Sequence, residues 1–531
     1  MPTTATRGRH HRAGAALLLA AAALTSPLFA QVWEVGNQVR ELGVAQAGAT
    51  YGAALAIGDF DGDGRADLVV GAPSFDGTLG GQTWTNAGRY DVYRGKADRQ
   101  LDYLTASFIL AQDVRFGSAL AAGDFDGDGH DDLAFSQPGF DLQSGGTQAD
   151  AGLVSVRLYE GPGFGPDIAL SQDTTGGAST PEPGDQFGWS LAAGDFDDDG
   201  YDDLAVGVPF ENWGGAVDAG VVHVFYGGPT GIDPANGVDT FGAGMNGVQG
   251  AHGDGDLFAF ALAAGDFDQD GITDLAIGAP LRTVGGHPDA GQVHVLYGSP
   301  SGVTGAGDQL FADADLGGVT ESGDRFGSAL AVGYFDDPIF CFSPCAADLA
   351  IGAPSETLGA EAGAGKVTVA YGSASGLSGA DVTLLRQDDV PGQTSKAGDN
   401  FGFALAAGRM DAHSASDLAV GAPGEGGLLP DIGVVHLFFG AGAGINAGRP
   451  PQTVPQRAGF GLFPPAAGDR WGARLAIGDF DDDGWGDLVV GVLQKDRNGQ
   501  ADSGAVQILY GALFADGFER GSDSAWGPGG V

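Results

Sequence analysis

Asp195, Asp197, Asp199 and Asp203 stand at positions 1, 3, 5 and 9 of one short loop, with Gly200 at position 6. That spacing lets a tight turn point several carboxylates at a single centre, and hard oxygen ligands in that number suit Ca²⁺. The carbonyl of Tyr201, at position 7, would add another oxygen, and Gly200 permits a backbone shape that a side chain resists. Without a cation the carboxylates would mostly repel one another; a solvated acidic turn is the competing reading. An EF-hand would need a bidentate Glu at position 12 and flanking helices. Position 12 is Val206, and the following LAVGV is a short apolar run closed by Gly and Pro, which suits a buried strand. The pattern describes a metal loop inside a β-hairpin.

Four other loops keep every ligand. They are Asp59, Asp61, Asp63 and Asp67 with Arg65 at position 7; Asp124, Asp126, Asp128 and Asp132 with His130; Asp266, Asp268, Asp270 and Asp274 with Ile272; and Asp479, Asp481, Asp483 and Asp487 with Trp485. Their twelfth positions are Val70, Phe135, Ile277 and Val490, so none has the EF-hand acid. About five Ca²⁺ ions are expected, one per loop. Two related loops depart. In the fifth copy Tyr334 holds position 1, and six extra residues that include Cys341 and Cys345 lengthen the loop; in the sixth, Arg409 holds position 1 and His413 position 5. Arg409 is expected to reach Asp411 and Asp417 and do part of the cation's work, against the alternative of a decayed loop with a solvated arginine.

The elements that must position these loops repeat with them. Aromatic-Gly starts recur at Tyr51-Gly52, Phe116-Gly117, Phe187-Gly188, Phe326-Gly327, Phe401-Gly402 and Trp471-Gly472, with Phe258-Ala259 as the fourth of seven copies, 65 to 75 residues apart. An Ala/Leu run, the loop and a second apolar run ending in Gly-Ala-Pro or a relative follow each start, as at Gly278-Ala279-Pro280. A third run alternates in period two and closes on an aromatic, as in Gly220 to Tyr226, and a weaker fourth candidate follows, as at Tyr103 to Leu110. Four strands per copy, seven times, with no helical segment, read as an all-β, seven-bladed β-propeller. The last copy has little room for a fourth strand after Tyr510. The segment from Val32 to Val44 is expected to complete that blade and close the ring, with Leu513 to Phe518 as the competing fourth strand.

Composition bounds the rest. Glycine numbers 97 of 531 residues, far above the usual ~7%, so the chain is rich in turns. Acids outnumber bases 69 to 24, for a net charge of −45, which argues against a nucleic-acid partner. Arg7, Arg9 and Arg12 precede an apolar run from Ala13 to Leu24 and small residues up to Ala30, the layout of a secretory signal peptide over residues 1–30; a retained signal anchor is the alternative. No later run approaches the length of a membrane span. In an exported protein the only two cysteines, Cys341 and Cys345, are expected to form a disulfide rather than stay free or bind metal. The propeller is expected over residues 31–515, with a disordered tail over 516–531.

The order Phe-Gly, aspartate loop, Gly-Ala-Pro resembles the FG-GAP repeat of integrin α-chain heads and of related secreted proteins. The resemblance implies Ca²⁺ in the loop joining the first two strands of a blade on the lower face, and ligand contacts from the opposite, upper face. It does not extend to an Arg-Gly-Asp sequence, which the chain lacks.

No Gly-x-Ser-x-Gly elbow or His-Glu-x-x-His helix is present. His223, His294 and His436 recur at one place in the third strand of three copies, which favours packing or hydrogen bonding over catalysis. The function expected is that of a secreted or extracytoplasmic, monomeric, calcium-binding module for a protein or glycan, not an enzyme. A hydrolase with a site in the channel and a structural part of a surface assembly are the alternatives. On the upper face, Phe75, Trp84, Phe140, Phe210, Trp213 and Arg282 are the expected contact residues, with packing onto their own blades as the alternative.

Overall fold

The computed structural model describes residues 38–40, 46–99, 101–161, 163–177, 179–336, 345–411, 413–426, 429–447, 449–456, 464–496 and 499–511. Within these, seven four-stranded antiparallel sheets form the blades of an all-β propeller. The first blade comprises Ala54–Gly58, Asp67–Ala72, Arg89–Arg94 and Asp102–Phe108 in spatial order. The third comprises Ser190–Gly194, Asp203–Val208, Val221–Phe225 and Val238–Phe241, and the sixth Ala404–Gly408, Asp417–Ala422, Val434–Phe438 and Gln452–Pro455. The second, fourth and fifth follow the same order. In the seventh, Arg474–Gly478, Asp487–Val492 and Ala505–Leu509 are joined by Gln38–Arg40, antiparallel to the third strand with Val39 opposite Gln507. The competing segment Leu513 to Phe518, the leader and the tail lie outside the described residues.

The second strand of every blade is buried at all six positions, as Asp203–Val208 shows, which accounts for its near-continuous apolar sequence. The core lies between sheets. Ala205, Val222 and Val224 of the third blade pack with Phe258, Leu275 and Ile277 of the fourth, and the same interleaving recurs around the ring.

The repeat code follows from this contact. The start aromatics, among them Tyr51, Phe187, Phe326 and Trp471, are fully buried. The glycine after them turns at positive φ, +88° at Gly188 and +86° at Gly402, where a side chain would be strained. The glycine of Gly-Ala-Pro faces that turn in the next blade: a Cβ on Gly352 would lie 2.3 Å from the Gly402 carbonyl, and one on Gly421 2.0 Å from that of Gly472.

Antiparallel order puts the loops between first and second strands, and between third and fourth, on one face. The connections between second and third strands, and between blades, lie on the other. There Gly77–Leu79 with Gln82–Trp84, and Leu142–Gln143 with Thr147–Gln148, form small extra hairpins.

Candidate metal centres

Each intact loop folds around its own carboxylates. The position 1 aspartate accepts two amides: Asp199 and Gly200 donate to Asp195 at 3.2 and 3.0 Å, and Asp63 and Gly64 to Asp59 at 3.0 and 2.8 Å. The position 5 aspartate accepts the amide of position 7, from Tyr201 to Asp199 at 3.1 Å and from His130 to Asp128 at 2.9 Å. The same bonds form in the fourth and seventh loops.

Position 9 is a staple in all seven blades. Its buried carboxylate accepts the amide of position 2 and that of a residue one or two past the third strand: Phe196 and Gly227 both donate to Asp203 at 2.8 Å. Asp348 and Asp417, in the two departing loops, accept the matching pairs at 2.6 and 2.9 Å and at 2.9 and 3.0 Å. Burial pushes these carboxyls up, Asp203 to about 8 and Asp417 to about 7. This residue therefore has work to do in every blade, with or without a full ligand set.

A second tie runs around the ring. The position 8 amide of each blade donates to the position 1 carbonyl of the preceding one, from Asp131 to Asp59 at 3.1 Å and onward to the seam, where Ala66 donates to Asp479 at 2.9 Å. Asp131 and Asp202 reinforce it, their carboxylates accepting the amides of Asp59 and Asp124 at 2.7 and 3.0 Å. These two acids stand at position 8, between the alternating ligand positions, so the ligand spacing gives no sign of them.

Carboxylate oxygens converge within 4.8 Å of one another in five places: Asp59, Asp61 and Asp67; Asp124, Asp126 and Asp132; Asp195, Asp197 and Asp199; Asp266, Asp268 and Asp274; and Asp479, Asp481 and Asp483. These are the five loops with complete patterns. Asp63, Asp128, Asp203, Asp270 and Asp487 stand outside the tight groups. Asp63 instead pairs with Arg65, and both oxygens of Asp203 and of Asp487 are held by amides. The five position 7 residues, Arg65, His130, Tyr201, Ile272 and Trp485, lie in the loops with their amides turned to position 5. A cation fits this donor set. Oδ1 of Asp61 and Oδ1 of Asp197 are shielded from solvent without a hydrogen-bond partner, and burial with carboxylate neighbours pushes Asp197 up to about 6, the costs that a bound cation would relieve.

The sixth loop overturns one expectation. Arg409 donates through Nε to the His413 carbonyl at 2.8 Å and lies over the Trp485 ring at 4.8 Å. The cation at Asp411 is Arg449, whose Nη1 is 2.9 Å from Oδ2. Thirty-eight residues separate the two, so loop spacing gave no sign of the pair. The Arg409 guanidinium at position 1 cannot accept the amides of positions 5 and 6, and it donates to the position 5 carbonyl instead. In the fifth blade Tyr334 takes a bond from its own amide to Ser416 Oγ at 3.1 Å. Cys345 is disulfide-bonded; Cys341 lies outside the described residues.

On the other face the expected contact residues are packed. Phe75, Trp84, Phe140, Phe210, Trp213 and Arg282 are all half-buried. Arg89 lies over Phe75 at 5.6 Å, Phe210 meets Trp189 edge-on at 5.1 Å, and Arg282 pairs with Asp256 at 2.5 Å. Among the described residues the large apolar side chains left most exposed there are Val319, Leu79 and Val217. The three histidines are buried in cross-strand bonds, His223 to Thr240 at 2.7 Å and His436 to Thr453 at 3.1 Å, with His294 3.3 Å from Asp308. Burial pushes His223 down to about 3, which makes it a poor general base at neutral pH.

The FG-GAP repeat model matches residues 51–90, 116–156, 187–225, 258–296 and 471–509, the five copies with complete loops. Integrin alpha pat-2 of Caenorhabditis briggsae is 33% identical over 242 residues, covering 43% of this chain and 18% of that protein. Integrin alpha-V of Gallus gallus is 32% identical over 231 residues, 43% of this chain and 20% of that protein. Phosphatidylinositol-glycan-specific phospholipase D of Mus musculus is 38% identical over 117 residues, 22% of this chain and 14% of that protein. The chain thus spans a fifth or less of the length of these curated relatives. Among solved structures, exotype rhamnogalacturonan lyase YesX aligns over 91% of this chain and 77% of its own, at 13% identity and a TM-score of 0.44, a likeness too slight to bear on function.

Proposed function

We propose that this FG-GAP repeat chain, with its integrin-α-like propeller, is an exported binding module whose ring is stabilised by about five Ca²⁺ ions. The observation that carries the reading is the convergence of three carboxylates in each of five loops on one face. Positions 1, 3, 5 and 9 supply the side-chain oxygens and the position 7 carbonyl supplies another, so that calcium occupies the loops on one face and leaves the opposite face for a protein or glycan. Leu79, Val217 and Val319, exposed in the connections of that opposite face, are the contact candidates favoured over the half-buried aromatics.

Among the described residues no helix is long and apolar enough to cross a membrane. The signal-like layout of residues 1–30 supports action outside the cytoplasm; the propeller is assigned to residues 31–515 and the protein acts as a monomer. The activity named for the phospholipase D relative is not carried over, because only 14% of that protein is matched.

Calcium has a definite thermodynamic share. A dissociation constant near 10⁻⁴ M, usual for extracellular modules, gives about 1.4 kcal/mol per site at 1 mM Ca²⁺. Five such sites give about 7 kcal/mol, comparable with the ~5–15 kcal/mol net stability of a domain. The test is metal analysis of the purified protein with melting curves in Ca²⁺ and in EDTA, followed by capture from cell-surface extracts in both conditions. Absence of bound calcium together with an unchanged melting curve would defeat the reading.

A further inference from the structure

We propose that three arginines set which loops take the cation: Arg449 stands in for it in the sixth blade, while Arg94 and Arg99 compete with it in the first and seventh, leaving the second, third and fourth loops as the tight sites. The proposal rests on the calcium reading above and deepens it.

The sixth loop has kept its form while reversing its polarity. In the intact loops a position 1 carboxylate accepts the amides of positions 5 and 6; here the Arg409 guanidinium donates to the carbonyl of position 5. Position 3 is unchanged. Asp411 accepts the His413 amide at 2.9 Å, the bond that Asp126 makes with Asp128 at 3.2 Å. The Asp411 side chain is fully buried, and a lone buried carboxylate is costly. Arg449, from the connection between the third and fourth strands, supplies the missing charge at 2.9 Å, with its guanidinium 3.7 Å from the Phe439 ring. An arginine fixed this way cannot be removed by a chelator.

The seventh loop shows the same device at an intact site. Arg99 reaches across the seam from the first blade and places Nε 2.6 Å from Asp481 and Nη2 3.0 Å from Asp483. Both carboxylates belong to the convergent group with Asp479. In the first loop Arg94 Nε is 3.2 Å from Oδ2 of Asp61. A guanidinium beside these oxygens repels a cation directly, and Arg99 also donates to lone pairs that the cation would need. Among the described residues no lysine or arginine ion pair reaches the convergent carboxylates of the second, third or fourth loop.

Calcium titration of the metal-stripped full chain by calorimetry tests this. The wild type should show three tight and two weaker sites. Arg94→Met and Arg99→Met should each move one site into the tight class, a gain of about fivefold. Arg449→Met should add no site and lower the melting temperature equally in Ca²⁺ and in EDTA. A loop rebuilt with Arg409→Asp, His413→Asp and Ser414→Gly should gain a sixth site only when Arg449→Met is added. Five equal sites indifferent to Arg94 and Arg99, or a sixth site in the rebuilt loop with Arg449 still present, would overturn the proposal. No calcium uptake at all by the wild type would overturn the calcium reading instead, and the melting response of Arg449→Met would still decide the sixth loop.

Discussion

The loops of the third and sixth blades have the same backbone ties and opposite electrostatics. Both end on a buried aspartate that takes two amides, at 2.8 and 2.8 Å on Asp203 and at 2.9 and 3.0 Å on Asp417. Both join their neighbours through the belt of position 8 amides, Thr273 donating to Asp195 at 3.1 Å and Gly486 to Arg409 at 2.6 Å. They differ in the centre. Asp195, Asp197 and Asp199 face one another with no cationic side chain paired to them among the described residues, whereas Asp411 is already paired with Arg449. The hairpin is thus specified by the staple and the belt, and the carboxylates at positions 1, 3 and 5 are an addition that a cation must complete. Loss of metal ligands can leave a blade intact for this reason.

The largest effect that divides the two loops is chelation. EDTA should remove up to about 7 kcal/mol from the folded ring, less where an arginine already weakens a site, and amide exchange should rise at the five acidic loops and not at the sixth; uniform exchange around the ring would erase the distinction. Next comes the staple, which should ignore it. Asp203→Ala and Asp417→Ala should each cost about 3 kcal/mol, because each orphans two buried amides. A much smaller loss at Asp417, measured by denaturant melts in EDTA, would mean that the sixth loop is held by other means.

A single ligand in the intact loop ranks third. Asp197→Asn should cost about 1.4 kcal/mol in 1 mM Ca²⁺, the worth of one site, and nothing or a slight gain in EDTA, where it relieves repulsion. Equal effects in the two buffers would reduce the third loop to an ordinary acidic turn.

The smallest effect lies on the other face, at a buried acid that no cation completes. Burial, with Asp185 and Glu182 nearby, pushes Glu211 up from 4.5 to about 8, while Gln172 donates to it at 2.5 Å. Between those values the unfolded chain releases the proton and the native chain keeps it, so stability present at pH 4.5 falls as pH rises toward 8. Glu211→Gln should therefore match the wild type near pH 4.5 and exceed it by about 1 kcal/mol or less at pH 8.5. Melting curves at the two pH values decide it; a variant less stable at both would show that Glu211 is needed in its ionised form.

The chain order made much of this legible. Period-two runs, alternating aspartates and the spacing of the Phe-Gly and Gly-Ala-Pro marks give the strands, the blade count and the five acidic loops, because each of these is set by residues close together along the chain. The glycine code is also local in cause, since positive φ at Gly188 or Gly402 admits few other residues. What the chain order could not give is which charge meets which. Arg409 is the neighbour of Asp411 in sequence, yet Arg449 is its partner in space. Arg99 is 382 residues from Asp481 and meets it only because the first and seventh blades close the ring. Phe75 and Phe210, candidates for contact on the other face, pack on side chains of their own blades, the alternative the sequence left open. Sequence determined the repeating unit and the donors it offers; the closed ring alone decided the pairings between units, since a side chain's partner across a seam depends on where two distant segments are brought together.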